Sequence, residues 1–147
     1  MLIREAVYQD LEHLLCLYTT HLNENSMPLI DTKIEKLWLE MIESPNHHVI
    51  VGTEDHAILS SCVLVIIPNL THNQQPYALI ENVITHPVYR NRGYASEILE
   101  YAKTVATETN CYKIMLMTGS KEAGTLHFYQ KAGYNMNDKT AFIQWLK

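Results

Sequence analysis

Hydrophobic positions along the chain fall first at helical and then at strand spacing. After a short first strand over residues 1–6, apolar residues recur at three- and four-residue intervals behind Asp10, which can cap a helix there. A second helical stripe begins near Thr32, which forms a capping box with Glu35. The pattern predicts two amphipathic helices joined by a loop over residues 23–31.

Strand-like runs dominate the middle of the chain. HHVIVGTE (residues 47–54) and AILSSCVLVIIP (residues 57–68) flank the turn-prone residues 54–56 and predict a hairpin. A third run, YALIENVITHP, ends at Pro87. We therefore expect three consecutive strands before the next helix.

The last third of the chain returns to alternating helices and strands. Helical spacing begins at Ala95, and YKIMLMT (residues 112–118) predicts a further strand. Ser120 can cap a fourth helix that ends at Gly133, and TAFIQWL (residues 140–146) predicts a last strand. With no repeat or linker, the order predicts one α/β domain over residues 1–147.

Composition excludes some classes of partner. Eleven Lys and Arg against sixteen Asp and Glu give a formal charge of -5, the wrong sign for a protein that binds nucleic acid. This acidic balance mildly favours a cationic small substrate. The longest apolar run, CVLVIIP, is too short to span a bilayer, so no membrane segment is expected.

The spacing of the cysteines and histidines matches no redox or metal-binding motif. Cys16, Cys62 and Cys111 form no CxxC pattern, and no secretory segment precedes the first strand. We interpret them as reduced core thiols of a cytoplasmic protein. The eight histidines show no HExxH motif, so no metal is expected.

The stretch VYRNRGYASE (residues 88–97) lies between a predicted strand and a predicted helix. Free N–H groups at the helix start, the helix dipole and the guanidinium groups of Arg90 and Arg92 suit a phosphate or pyrophosphate. Gly93 permits backbone conformations that a Cβ would block, and Ala95 keeps the helix start open. An Arg-rich turn that is merely a solvated connection fits the same residues.

A family resemblance favours the binding interpretation. The spacing Arg90, Gly93, Ala95 resembles the acetyl-coenzyme A signature of the GCN5-related N-acetyltransferases (GNAT), and HFYQKAGY (residues 127–134) resembles the second motif of that family. The order of elements matches as well. The resemblance implies a mixed, mostly antiparallel sheet flanked by helices on both faces, with a splayed parallel strand pair.

The resemblance also implies which residues hold acetyl-coenzyme A. Around the loop, the pyrophosphate would be held by Arg90, Arg92, Gly93, Tyr94, Ala95 and Ser96. The main chain of Val83, Ile84 and Thr85 would pair with the pantetheine arm as an extra strand does.

Acetyl transfer to an amine needs a base and a donor for the departing thiolate. Tyr129 matches the family tyrosine and is the expected acid, an interpretation that its position favours over that of a core or rim tyrosine. Glu81, on a strand entering the site, is the expected base, with burial raising its pKa, although it can instead be a structural hydrogen-bonder. Its neighbour Asn82 is expected to face the other side of the sheet.

The acceptor amine is not fixed by the sequence. The expected rim consists of the loop over residues 69–75 and of His21, Asn23, Glu24, Asn25 and Met27. A small metabolite, an antibiotic-like amine, and a peptide N-terminus or lysine fit equally well. The alternative function is a non-catalytic coenzyme A sensor or partner-binding module, which would need the loop but neither Glu81 nor Tyr129.

The apolar residues 140–146 allow a homodimer, and a monomer is also compatible.

Overall fold

The computed structural model describes residues 1–22 and 25–147. Strands and helices follow the predicted order as far as residue 131. Their bounds are β1 Leu2–Glu5, α1 Leu11–Leu22, α2 Thr32–Glu43, β2 His47–Glu54, β3 Ala57–Ile67, β4 Tyr77–Thr85, α3 Tyr94–Glu108, β5 Ile114–Leu116 and α4 Ala123–Lys131.

The described strands form one mixed sheet. Its order is β1-β2-β3-β4-β5, antiparallel throughout except for the parallel pair β4 and β5. Asp55 and His56 join β2 to β3 with φ angles of 48° and 67°, the left-handed conformations that a two-residue hairpin turn requires. The predicted sheet and hairpin are confirmed.

Helices cover both faces of the sheet, as predicted. On one face α3 buries Ile98 and Ala102 against the sheet in a cluster that we call the α3 core. On the other face α1 and α2 contribute Leu14 and Trp38 to a second cluster, the α1–α2 core. Because strand residues alternate in direction, β2 sends Ile50 to the α3 core and its two flanking valines to the α1–α2 core.

Two predicted helix caps are wrong. Asp31 rather than Thr32 caps α2, because its Oδ1 accepts the N–H three residues further on at 2.9 Å. Asp10 does not cap α1, because its carboxylate accepts hydrogen bonds from Arg4 at 2.6 and 2.9 Å and from the N–H of Val7 at 2.7 Å. Burial alone would raise the pKa of Asp10, but these bonds hold it below its usual value.

The end of the chain differs most from the prediction. The N-cap of α4 is Glu122, whose N–H donates to the hydroxyl of Ser120, whereas Gly133 ends the helix with a φ of 95°, as expected. Residues 140–146 form no strand. A strand needs a neighbour for its backbone groups, and this chain places none beside them.

Of the three cysteines, only Cys62 is a buried core residue; Cys111 is half-buried and Cys16 is exposed. The prediction of three core thiols is therefore wrong for Cys16, which lies on the outer face of α1.

No helix within residues 1–22 and 25–147 has the length and hydrophobicity needed to cross a bilayer.

Candidate functional site

Strand β4 carries a bulge near its middle. Its pairing with β3 shifts between Ser61 and Val63, so that Asn82 and Val83 together oppose Cys62. Asn82 has a φ of 52°, a left-handed conformation that asparagine tolerates better than most residues. The bulge interrupts the ladder inside the segment expected to meet the coenzyme.

The bulge also changes which way the side chains point. Ile80 packs in the α3 core and Ile84 in the α1–α2 core, although regular alternation would place both on one face. Glu81 and Asn82 are both exposed at this point. The expected burial of the Glu81 carboxylate is therefore wrong, and so is the simple alternation expected of the two side chains.

Strands β4 and β5 separate beside the bulge. Their parallel pairing covers only residues 78–80 of β4 and 114–116 of β5. Beyond this point β5 has ended and β4 continues to Thr85 with no described strand on that side. The main chain of Val83, Ile84 and Thr85 therefore lies along an open edge, where an extended ligand can pair with it.

The loop after β4 leads directly into α3. Arg90 turns back, and its Nε donates to the carbonyl of Thr85 at 3.3 Å. The guanidinium of Arg92 lies 5.2 Å from the centre of the Tyr89 ring. Arg90 is thereby held at the end of β4, and Arg92 lies against the loop that leads to α3.

Gly93 is the N-cap of α3, with a φ of 84°. No atom lies within 4 Å of the place that a Cβ would occupy, so the space above the glycine is open. The first helical bond in this turn joins the N–H of Glu97 to the carbonyl of Gly93 at 3.1 Å. The N–H groups of residues 92–96 have no acceptor in the described part of the chain. Tyr94, Ala95 and Ser96 thus open the helix with unpaired donors.

A cavity of about 210 Å³ lies between the end of α1 and the bulge. Its lining consists of Tyr18, His21, Leu22, Asn82, Val83 and Ile84. His21, which belongs to the expected rim, therefore lines this cavity. Asn23 and Glu24 of the expected rim lie outside the described residues, and the loop over 69–75 does not reach it.

That loop belongs to the opposite end of β4. His72 stacks on Tyr112 with ring centres 4.0 Å apart, and Gln75 hydrogen-bonds Asn110 at 3.1 Å. It lies at the beginning of the strand, six residues before the bulge and thus roughly 20 Å away along the strand. Its assignment to the acceptor rim is wrong.

Tyr18 is a site residue that the sequence did not reveal. Burial raises the pKa of its phenol to about 12, and the nearby hydroxyl of the buried Ser61 opposes this rise only in part. Tyr18 falls in the apolar stripe of α1, and its spacing in the sequence therefore predicted a core residue. Only the fold shows that Tyr18 lines the cavity.

Tyr129 lies on α4 and packs half-buried against the α3 core. Its ring meets those of Phe128 and Tyr134 edge to face, at 4.9 and 6.3 Å between centres. Burial, with a smaller contribution from nearby Cys62, raises the pKa of Tyr129. Because Cys62 is also the residue opposite the bulge, Tyr129 lies on the α3 side of the bulge.

The comparisons with known proteins agree with this geometry. The sequence profile of the Acetyltransferase (GNAT) family matches residues 8–134. The chain therefore belongs to the GNAT family of acetyltransferases.

Particular relatives extend the comparison. The chain is 34% identical to a protein from Agrobacterium tumefaciens str. C58 that is assigned as an acetyltransferase, with a TM-score of 0.89 and coverage of 99% of this chain and 100% of the other. A transcriptional regulator from Bacillus halodurans C-125 shares the fold at 24% identity, with a TM-score of 0.85 and coverage of 98% and 99%. A glucosamine 6-phosphate N-acetyltransferase from Trypanosoma brucei brucei is 28% identical over 82 residues, which are 56% of this chain and about half, 54%, of that relative.

Proposed function

We propose that this protein transfers the acetyl group of acetyl-coenzyme A to a primary amine of a small molecule or peptide, with both substrates bound at once. The observation that carries the proposal is the continuity of two features. The open edge of β4 runs into a helix start whose N–H groups at residues 92–96 are unpaired. An extended ligand with a pyrophosphate at one end fits this arrangement.

The residues present fit coenzyme A in shape and in charge. The unpaired N–H groups of Arg92, Gly93, Tyr94, Ala95 and Ser96 would donate to the pyrophosphate, and Arg90 and Arg92 would add positive charge. A Cβ at residue 93 would project into the space that the phosphates need. The main chain of residues 83–85, which no described strand pairs on the β5 side, would hydrogen-bond the amides of the pantetheine arm, with Arg90 releasing the carbonyl of Thr85 where the arm needs it.

The reaction needs two proton movements. As the amine nitrogen attacks the thioester carbon, Glu81 takes the amine proton, directly or through water, and the carbon–sulfur bond breaks. Tyr129 then donates to the departing sulfur. Its raised pKa keeps the phenol protonated at neutral pH. Since a thiol has a pKa of about 8.5, the phenol is the weaker acid, and hydrogen bonding to the sulfur is its main contribution.

A second candidate function is supported by one observation. Glu81, the expected base, is exposed, and it has no hydrogen-bond or ion-pair partner among the described residues. A coenzyme A sensor or partner-binding module would keep the cradle at residues 92–96 and would place no demand on Glu81.

Calorimetric titration with acetyl-coenzyme A and with coenzyme A, followed by thiol release with a panel of amines, separates the two functions. The panel includes glucosamine 6-phosphate, after the trypanosome relative, and peptides with a free N-terminus or a lysine. Binding with amine-dependent thiol release establishes the transferase. Binding without turnover on any amine favours the sensor, and absence of binding contradicts both.

Tyr129→Phe tests the assigned acid. We expect kcat to fall about 10- to 100-fold, since the variant loses a hydrogen bond of about 1.5–3 kcal/mol to the charged sulfur, while the Kd for acetyl-coenzyme A stays unchanged. Steady-state kinetics and calorimetry measure the two effects. Tyr101→Phe is the matched control, because Tyr101 is another half-buried phenol beside the α3 core. Equal rates in the two variants would remove Tyr129 from the mechanism.

A further inference from the structure

Two serines lie side by side in β3, with side chains on opposite faces of the sheet. Ser60 and Ser61 are both fully buried, at 0% exposed. Because strand residues alternate in direction, Ser60 shares the α3 face with Cys62. Ser61 faces α1, where its hydroxyl lies near that of Tyr18. The proposed reaction uses neither serine directly, so the contacts of each buried hydroxyl indicate what it does.

Ser60 makes two hydrogen bonds, both to the end of β4. Its Oγ donates to the carbonyl of Ile84 at 3.1 Å and lies 2.8 Å from the hydroxyl oxygen of Thr85. A serine hydroxyl has one proton to donate, and a carbonyl can only accept. The Thr85 hydroxyl therefore donates to Ser60, which donates to Ile84. A buried network whose members are all satisfied in this way is rigid.

These bonds act where β4 has few other restraints. Beyond the bulge, the described pairing of β4 with β3 consists of Ser61 with Ile84 and Ser60 with Thr85. On its other side β4 pairs with β5 only over residues 78–80, so β5 does not reach this segment. The hydroxyl of Ser60 therefore reinforces a short ladder at the point where the open edge begins.

Thr85 is also held from outside the sheet. The Nε of the exposed Arg90 donates to its carbonyl at 3.3 Å. Arg90 has to release this carbonyl wherever the pantetheine arm pairs with it. The bonds of Ser60 lie inside the sheet and do not compete with such a ligand, so they keep Thr85 in place when Arg90 leaves.

We propose that Ser60 is a positioning residue for the coenzyme. Through the hydroxyl of Thr85 and the carbonyl of Ile84, it holds the main chain of residues 83–85 in the form that pairs with the pantetheine arm. It touches no reacting atom. The inference rests on the proposed function, because it requires coenzyme A to lie along this edge of β4.

Ser60→Ala and Ser61→Ala test this role as a matched pair, since the two serines are equally buried neighbours on opposite faces. We expect the Kd of coenzyme A to rise about tenfold in Ser60→Ala, as the loss of one or two hydrogen bonds implies, and to stay unchanged in Ser61→Ala. Adenosine diphosphate carries the pyrophosphate but lacks the arm, so its Kd should stay unchanged in both. Calorimetry measures the affinities, and urea unfolding measures the stability of each variant.

Substitutions of Thr85 test the same bond from the other side. Valine keeps the shape of threonine without the hydroxyl, so Thr85→Val should also weaken coenzyme A binding. Thr85→Ser keeps the hydroxyl and should retain most of the affinity. Adding Thr85→Val to Ser60→Ala should cause little further loss, because the bond between the two hydroxyls is already broken.

The results separate this inference from the proposed function. If the unsubstituted protein binds coenzyme A, an unchanged affinity in Ser60→Ala or an equal loss in Ser61→Ala overturns the role of Ser60 alone. A loss that extends to adenosine diphosphate, or Thr85→Ser binding as weakly as Thr85→Val, overturns it as well. If the unsubstituted protein does not bind coenzyme A, both the inference and the proposed function fail.

Discussion

At the scale of single residues, the bulge in β4 affects the direction and exposure of the Glu81 and Asn82 side chains more than their residue types do. The sequence placed Glu81 on a strand entering the site, and regular alternation assigned its direction. The left-handed backbone of Asn82 breaks that alternation and leaves both side chains exposed. A single residue with a positive φ leaves almost no mark in an apolar pattern, so this error could not be avoided from the sequence.

Glu81→Gln tests the assigned base. The amide keeps the shape of the side chain but cannot accept the amine proton, so we expect kcat to fall about 100-fold with unchanged binding of acetyl-coenzyme A. Steady-state kinetics with the best amine of the panel measures the change. Glu100→Gln on α3 is the control, since Glu100 pairs only with Lys103 at the surface. A rate equal to that of the control would assign the proton to water alone.

Because the thiol of Cys62 is buried, we expect the free energy of unfolding to fall at alkaline pH. Burial raises the pKa of its thiol from 9.0 to about 12. Above pH 9 the unfolded chain loses this proton and the folded chain keeps it, so the free energy of unfolding falls by up to about 1.4 kcal/mol per pH unit. Urea unfolding at pH 8, 9 and 10 measures the slope.

Cys62→Ala should reduce that slope most clearly between pH 8 and pH 9, because the phenols of Tyr18, Tyr129 and Tyr134, whose ordinary pKa is about 10, ionise little in the unfolded chain over this range. Cys16→Ala, at the exposed cysteine, should retain it. An unchanged slope in Cys62→Ala would show that the thiol ionises equally in both states.

At the scale of elements, the sequence predicted those whose signal is local. Strands β2 and β3 and helix α3 have strong periodicity, and their bounds lie within about a residue of those expected. Strand formation over residues 140–146 depends on a neighbour that the chain itself does not provide. The cap predictions for α1 and α2 were wrong for a similar reason. Adjacent polar residues compete for the same N–H groups, and the carboxylate of Asp10 accepts hydrogen bonds from Arg4 instead.

The start of α3 yields a prediction about its glycine. Gly93→Val forces a branched side chain into a φ of 84° and should cost about 1–2 kcal/mol of stability. It should also weaken acetyl-coenzyme A binding at least tenfold, because the Cβ enters the open space. Calorimetry and urea unfolding measure the two effects.

Gly133→Val is the matched control, since Gly133 has a φ of 95° at the end of α4 and similar open space around it. It should lose similar stability without a change in affinity. Equal affinity losses in the two variants would mean that strain rather than contact weakens binding, and would contradict the cradle.

At the scale of the whole molecule, the match to the family extends over residues 8–134 and stops before residues 140–146, which form no strand.

The burial of Cys62 has a consequence for the order of chemical events. This thiol lies opposite the bulge, beside the place where the thioester would react, yet its pKa of about 12 keeps it protonated and unreactive. It cannot hold the acetyl group as an acyl-enzyme while one product leaves and the next substrate arrives. Under the proposed function, this favours direct attack by the amine while donor and acceptor are bound together, and a coenzyme bound alone would be protected from loss of its acetyl group to this cysteine.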